Sequence, residues 1–290
     1  MQMQRSRIGR HLGVLLVTVL VLGACNAAAT DDTSGAETTA AAEDGGVTPA
    51  VGEDRLSVIK DRGSLIVGMT LQFEPQMYRD ENNEPAGYDV ELVKMLAADL
   101  EVELEIMDQE FDSLIPGMLA GQFDLISVGL VNRPERAEQL WFTRPYVPYR
   151  QVAVVNNDSG IESVEDLNSS DVTITALIGS TAANLVTTSF PDAELLELEQ
   201  QPAFLEVAAG RADAIVVEEY QAFRFVEEND NTSVLNPDDP FNEAYGRWVV
   251  PVGDVIWWRY VDNWVDFYTS SGTLDQLYED IIGPTQGLPR

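Results

Sequence analysis

The sequence contains very little of two reactive side chains: its only cysteine is Cys25, and its only histidine is His11. A single cysteine excludes a disulfide within the chain. His11 lies in a segment that we expect to be removed, for reasons given below. A mature chain without histidine or a free thiol excludes histidine acid–base catalysis, histidine-activated nucleophiles and the common zinc sites. Many classes of enzyme are thereby excluded, and we expect no catalytic residue, no metal and no cofactor.

The sequence is also poor in basic residues. The chain has 17 basic residues against 49 acidic ones, a formal net charge of −32, and its only lysines are Lys60 and Lys94. A surface this acidic repels phosphate, so nucleic acid is excluded as a partner. One hypothesis is exposure to high external salt, which screens the self-repulsion. Drift in a genome that favours arginine codons is the alternative.

The first 25 residues have the pattern of an export signal. Three arginines precede an apolar run over residues 12–22, which is too short to span a bilayer comfortably. The run ends in LGAC at residues 22–25, which resembles the lipobox of bacterial lipoproteins. The resemblance implies a signal peptide over residues 1–24 and acylation of Cys25, which then anchors the protein to the outer face of the membrane.

After the anchor, residues 25–51 consist mainly of Ala, Thr, Asp, Glu, Gly and Ser, and contain almost nothing to bury. This composition predicts a disordered tether. The remainder is long enough for one large or two modest domains, and none of its segments is apolar and long enough to cross a membrane.

The folded part alternates short β-rich runs with helical patterns, which is typical of an α/β protein. Asp89 is expected to cap a helix over residues 90–100, and Gly121 to close another over residues 114–120. Strands are predicted at residues 65–69, 104–107, 124–128, 152–155, 172–177 and 214–217, and further helices at 180–189, 202–210 and 254–282.

This order predicts two similar lobes, with the chain crossing between them near Pro148–Val152 and again near Trp248–Val252. We expect lobe 1 to comprise residues 52–149 plus 250–290, and lobe 2 residues 150–249. Each lobe would be a mixed β-sheet flanked by helices, and a two-strand hinge would join them. Small ligands bind in the cleft of such structures.

A series of short motifs, weak singly, gains weight from its order and spacing. From about residue 56 to 283 the chain resembles the polar amino-acid family of bacterial solute-binding proteins, which have the two-lobed periplasmic-binding-protein fold. The motifs are GSLIVG at 63–68, FEP at 73–75, AGYDVEL at 86–92, FDSLIP at 111–116, GQFD at 121–124, PERA at 134–137, FTRPY at 142–146, VEDL at 164–167, GST at 179–181, GRADA at 210–214 and SGTL at 271–274.

An amino-acid zwitterion needs a fixed cation for its carboxylate, an anion for its ammonium group and a shaped wall for its side chain. Arg136 is the favoured cation because a guanidinium matches both carboxylate oxygens. The resemblance implies the same role for it. Arg133 is a competitor, and a surface arginine paired with Glu135 or Glu138 is the structural alternative.

Ser180 and Thr181 fall between a predicted strand and helix, where free N–H groups attract an anion. The resemblance implies that Thr181 also binds the ligand carboxylate, through its hydroxyl and its backbone N–H. The alternative is that this segment only caps the helix. It also implies that Phe73 and Phe111 sandwich the ligand, and it places Gly129 among the binding positions.

The sequence departs from the family at three binding positions. Glu218 stands where an aspartate usually binds the ligand ammonium, and the adjacent Glu219 is a second candidate. Val131 replaces the common Thr or Ser and leaves only a backbone N–H. Thr70 replaces the acid that holds cationic side chains, which argues against a basic amino acid as ligand.

The resemblance implies a monomeric, extracytoplasmic lipoprotein that delivers a small amino acid to an ABC permease with its ATPase. Two alternatives use the same fold. One is a cyclohexadienyl or arogenate dehydratase with Glu218 as general acid. The other is the ligand-sensing subunit of a signalling receptor.

Overall fold

The computed structural model describes residues 53–284. The predicted signal peptide, the acylated Cys25 and the tether lie outside the described residues. Within the described part, no helix combines the length and the apolar character that a membrane span requires.

Strands form at most of the predicted β-rich runs, within one or two residues. Among the described residues the strands are β1 (Ser64–Met69), β2 (Gln72–Phe73), β3 (Met77–Arg79), β4 (Pro85–Ala86), β5 (Glu103–Asp108), β6 (Leu125–Val131), β7 (Leu140–Asn156), β8 (Thr173–Leu177), β9 (Glu194–Leu198), β10 (Ala214–Glu218), β11 (Thr232–Val234) and β12 (Asn242–Pro251).

Helices fill most of the connections between strands, as the alternating pattern predicts. They are α1 (Arg55–Arg62), α2 (Tyr88–Leu100), α3 (Leu114–Leu119), α4 (Pro134–Ala137), α5 (Thr181–Ser189), α6 (Gln200–Ala208), α7 (Glu219–Glu228), α8 (Val255–Ser270) and α9 (Thr273–Ile281).

Two groups of strands with separate cores define the lobes. The main sheet runs in the order β5-β1-β6-β12-β7-β10-β8-β9, and β11 adds to β7. Strand β1 lies parallel to β5 and β6 in the first lobe, and β8 lies parallel to β9 and β10 in the second. One apolar cluster fills the first lobe, and two smaller clusters lie on the second. The predicted two-lobed α/β fold is confirmed.

The lobes are joined by the long strands β7 and β12, which pair in antiparallel fashion. Their register sets Asn242–Tyr245 opposite Pro148–Gln151, whereas the sequence predicts the second crossing at residues 248–252. The proposed lobe boundaries stay a prediction.

The C-terminal helices return to the first lobe, as expected. Trp257 Nε1 donates to the Asp124 carbonyl oxygen at 2.8 Å, and Trp264 Nε1 donates to Asp99 Oδ2 at 2.7 Å. The Trp264 ring also stacks on Trp248 of β12, with centroids 5.1 Å apart. These large rings bury apolar area while their N–H groups remain bonded.

The prediction for Asp89 is wrong. Helix α2 is capped by Gly87, and Asp89 is its second residue, fully buried. Its carboxylate accepts from Gln76 Nε2 at 3.0 Å, from Ser127 Oγ at 2.9 Å and from the Tyr146 hydroxyl. The carboxylate oxygens of Asp89 therefore accept hydrogen bonds from residues distant in sequence, and they do not cap the helix. Burial raises the pKa of Asp89 to about 6, against these three hydrogen bonds, which lower it.

Candidate functional site

The second lobe presents its chemistry at one edge of its sheet. Strands β8, β9 and β10 run parallel, so their carboxyl ends meet at the same edge. The residues that follow or end them are Ser180, Gln200 and Glu218. Ligands of open α/β sheets bind at such edges. This edge faces the first lobe across a cavity of about 60 Å³.

Eight of the nine predicted ligand-binding residues line this cavity. They are Phe73, Phe111, Gly129, Val131, Arg136, Ser180, Thr181 and Glu218. Thr70 is buried, with 1% of its surface exposed, and lies outside the wall. The cavity therefore draws together positions up to 145 residues apart in sequence. Their role in binding stays a prediction.

Arg136 lies on α4, directly after β6, and only 7% of its surface is exposed. Its guanidinium donates to the Val131 carbonyl at 3.0 Å and, across the cleft, to the Gly179 carbonyl at 2.9 Å. It forms no ion pair within the described residues. Burial lowers its pKa to about 10, and the charge of Arg133 adds to the effect. The group stays cationic at neutral pH, so the cleft holds a buried charge that lacks a counter-ion.

The competing Arg133 lies against the same turn of the second lobe. Its guanidinium reaches the carbonyl oxygens of Ser180 and Gly179 only at 3.4 and 3.5 Å. It does not line the cavity between the lobes. The geometry therefore favours Arg136 over Arg133 as the cation that faces a ligand.

Ser180 caps helix α5, as the structural alternative anticipated: its Oγ accepts from the Ala183 backbone N–H at 3.1 Å. Thr181 begins the helix, and its hydroxyl accepts from Gln151 Nε2 at 3.1 Å. The first turn of α5 thus faces the cavity with its dipole's positive end. The place suits an anion beside Arg136.

Glu218 ends β10, and its two oxygen atoms differ. Oε1 accepts from Gln151 Nε2 at 3.1 Å, whereas Oε2 is shielded from solvent and has no partner. Burial raises the pKa of Glu218 to about 7, and the bond from Gln151 opposes the shift. Glu219, the second candidate, is bound to Arg150 at 2.9 Å and lies outside this cavity. Glu218 is therefore the carboxylate that faces the site.

The two phenylalanines belong to one wall. Phe73 comes from β2 and Phe111 from a short 3₁₀ turn before α3, both in the first lobe. Their ring centroids lie 6.1 Å apart at 50°, which is the spacing of aromatic rings in contact. In this structure the rings pack on each other, with no slot between them. The expected sandwich around a ligand stays a prediction.

Gly129 and Val131 contribute backbone to the wall. Gly129 has φ +61°, and a Cβ there would lie 1.7 Å from the Tyr149 hydroxyl oxygen, so no other residue fits. Its N–H donates to the Tyr146 hydroxyl at 2.6 Å. The glycine thus lets the hydroxyl groups of Tyr146 and Tyr149 approach the main chain, and Tyr149 lines the cavity.

Sequence reasoning missed a network that joins the lobes. Tyr220 at the start of α7 donates to Gln76 Oε1 at 2.6 Å, and the Tyr149 hydroxyl is also bound to Gln76, which is fully buried. Gln200 and Gln221 complete the polar wall. Glutamines carry no motif of their own, and only the position of Gln76 beside the FEP segment hinted at its role.

The geometry defines a class: a two-lobed solute-binding protein with a cation, a helix N-terminus and a carboxylate facing a closed cleft. The model of the bacterial extracellular solute-binding proteins, family 3, matches residues 65–284. The chain belongs to this family.

Individual relatives span binding and catalysis. The chain is 25% identical to a cyclohexadienyl dehydratase of Pseudomonas aeruginosa over 230 residues, covering 78% of this chain and 85% of the relative. It is 28% identical to a glutamine-binding protein of Geobacillus stearothermophilus over 243 residues, 80% and 88% of the two chains. The crystal structure of AncCDT-1, an ancestral amino acid-binding protein and precursor of cyclohexadienyl dehydratase, has 31% identity and a TM-score of 0.72, with 78% and 99% covered.

Proposed function

We propose that the chain is the substrate-binding lipoprotein of an ABC importer, which captures a small amino-acid zwitterion between its lobes and delivers it to the membrane permease. The observation that carries the proposal is Arg136, a buried cation without a counter-ion, in the same cavity as the unpaired oxygen of Glu218. A ligand carboxylate would pair with the first and a ligand ammonium with the second.

Family membership and the glutamine-binding relative support an amino acid as the ligand. Position 70 carries a threonine where binding proteins for basic amino acids carry an acid, and this supports a ligand that is not basic. Acylation of Cys25 would hold the protein at the outer face of the membrane, beside the permease and its ATPase, with residues 25–51 as tether. The lobes, 52–149 with 250–290 and 150–249, would close on the ligand in a monomer.

Isothermal titration calorimetry of the purified chain against single amino acids tests the proposal. We expect binding of at least one amino acid with micromolar or lower Kd. Arg136→Ala should weaken that binding about 100-fold, because two charge-assisted hydrogen bonds are lost. Arg133→Ala, three residues earlier and outside the cavity wall, is the comparison variant and should weaken binding less than Arg136→Ala does. If Arg133→Ala caused the larger loss, the assignment of the carboxylate to Arg136 would be wrong.

A dehydratase is the second candidate, because the pKa of Glu218 is raised to about 7 by burial, and a carboxyl group of that kind can act as a general acid. The Pseudomonas aeruginosa relative also favours it. Absence of turnover of prephenate and arogenate would exclude this candidate. A receptor subunit would bind in the same way; co-transcription of its gene with a permease and an ATPase would favour transport over this role.

A further inference from the structure

A second polar atom in the cavity wall lacks a partner. Gln200 is 4% exposed, and its Nε2 is shielded from solvent without a hydrogen-bond acceptor. A buried amide N–H that is left unbonded costs free energy, which an apolar side chain of the same size would avoid. Glutamine at this position is therefore explained by a partner that the protein itself does not supply.

The place of Gln200 separates it from the charged groups of the site. It is the first residue of α6, after β9, while Glu218 ends β10, and β8 with its Ser180 turn lies between them. Helix α6 packs against β2, the strand that carries Phe73. A ligand held by its carboxylate at the central turn and by its ammonium at Glu218 would direct its side chain toward Gln200 and the aromatic wall.

Charges beside Gln200 limit what that side chain can be. Glu199 precedes it, and the carboxylates of Glu110 and Asp112 face Glu199 from the first lobe. Together with burial, they raise the pKa of Glu199 to about 7. A ligand with an anionic side chain would add a further negative charge there, so an uncharged oxygen is favoured.

Resting on the proposed function, we propose that Gln200 selects the ligand by its side chain, donating from Nε2 to an uncharged oxygen. The ligand class is then an amino acid whose side chain carries a hydroxyl or an amide, such as serine, threonine or asparagine. A site built to bond a polar group rejects an apolar analogue, because its own buried donor is then left unpaired.

Matched ligand pairs test this role in calorimetry. Threonine with valine, and asparagine with leucine, have similar shapes and differ in the side-chain oxygen. We expect the wild-type chain to bind the polar member of at least one pair roughly tenfold or more tightly, the scale of one buried hydrogen bond. Gln200→Met keeps the length but removes the donor, and should reduce this ratio to near one. Gln201→Met, exposed on the same helix, is the matched control and should retain it.

Each outcome has one meaning. A wild-type chain that binds valine as tightly as threonine, and leucine as tightly as asparagine, overturns the role of Gln200. So does an unchanged ratio in Gln200→Met. If amino acids bind and Arg136→Ala weakens this binding as expected, the proposed function survives that result. If no amino acid binds the wild-type chain, the proposed function fails as well. Should Gln200→Met not fold, Gln200→Glu at pH 8 replaces it, because an ionised carboxylate cannot donate and must lose the same preference.

Discussion

At the scale of single residues, the cleft keeps two uncompensated charged groups on opposite lobes. Arg136 donates only to backbone carbonyls, and Glu218 receives one hydrogen bond from Gln151 and leaves its other oxygen bare. Each group alone destabilises the closed, empty cleft, since burial favours its neutral form. A zwitterion would compensate both at once, so we expect closing and binding to be coupled through these two side chains.

The raised pKa of Glu218 predicts a pH dependence. In the empty cleft this pKa is about 7, and a bound ammonium group would lower it, because an opposite charge favours the carboxylate. Binding then releases a proton below pH 7, so affinity should fall as the pH decreases, by up to about tenfold per pH unit. Calorimetric Kd values between pH 5 and 8 measure this.

Glu199 acts in the opposite direction, because its own raised pKa makes closure less favourable as the pH rises through about 7. The variant Glu218→Gln isolates the effect of Glu218, because glutamine does not titrate. The ratio of the wild-type affinity to the affinity of this variant should therefore fall as the pH decreases below 7. An equal pH profile in both proteins would show that Glu218 does not face the ligand ammonium.

At the scale of elements, the crossing of β6, β12 and β7 depends on close backbone approach. Gly246 of β12 pairs with Val131 on one side and Val147 on the other. A Cβ on Gly246 would lie 2.5 Å from Val147 Cγ1, 2.6 Å from Gly129 Cα and 2.7 Å from the Gly129 oxygen. Main chain on the Gly129 side cannot rotate away as a side chain could, so this position admits no side chain without a shift of the strands.

Gly246→Ala should therefore lower the free energy of unfolding by about 1–3 kcal/mol, the usual cost of overpacking. Urea denaturation followed by tryptophan fluorescence measures it. Glu243→Ala, exposed on the same strand, serves as control and should stay within about 0.5 kcal/mol of wild type. Equal midpoints for all three proteins would mean that the strands can separate at this crossing without cost.

At the scale of the whole molecule, the net charge is the feature that we expect to affect stability most. The formal charge of −32 produces self-repulsion that opposes the compact state. Most ion pairs in the described residues are partly or fully exposed, and pairs of that kind add little stability. Screening of this self-repulsion by salt should therefore change the stability more than any single ion pair does.

The thermal midpoint should accordingly rise with sodium chloride. Most of the rise is expected between 0.01 and 0.15 M, where the Debye length falls from about 30 Å to about 8 Å. Differential scanning fluorimetry over this range, extended to 1 M, is the measurement. A midpoint that responds only in molar salt would point to exclusion of salt from the surface instead of charge screening.

The sequence by itself determined the local elements. Strand β8 was expected at residues 172–177 and forms at Thr173–Leu177, and helix α5 ends at Ser189 as predicted. Hydrophobic alternation, capping residues and glycine act within a few positions, so they can be interpreted without knowing the fold. Spaced motifs also carried the family, the two-lobed architecture and eight of the residues that line the cavity.

Only the tertiary structure decided what depends on residues far apart in the chain. It assigned Asp89 to a buried network instead of a helix cap, turned Glu219 to Arg150 and left Glu218 facing the cleft, and exposed the unpaired amide of Gln200. The physical reason is that a polar side chain takes its role from the donors, acceptors and burial around it. Those surroundings are created when the two lobes meet across β7 and β12.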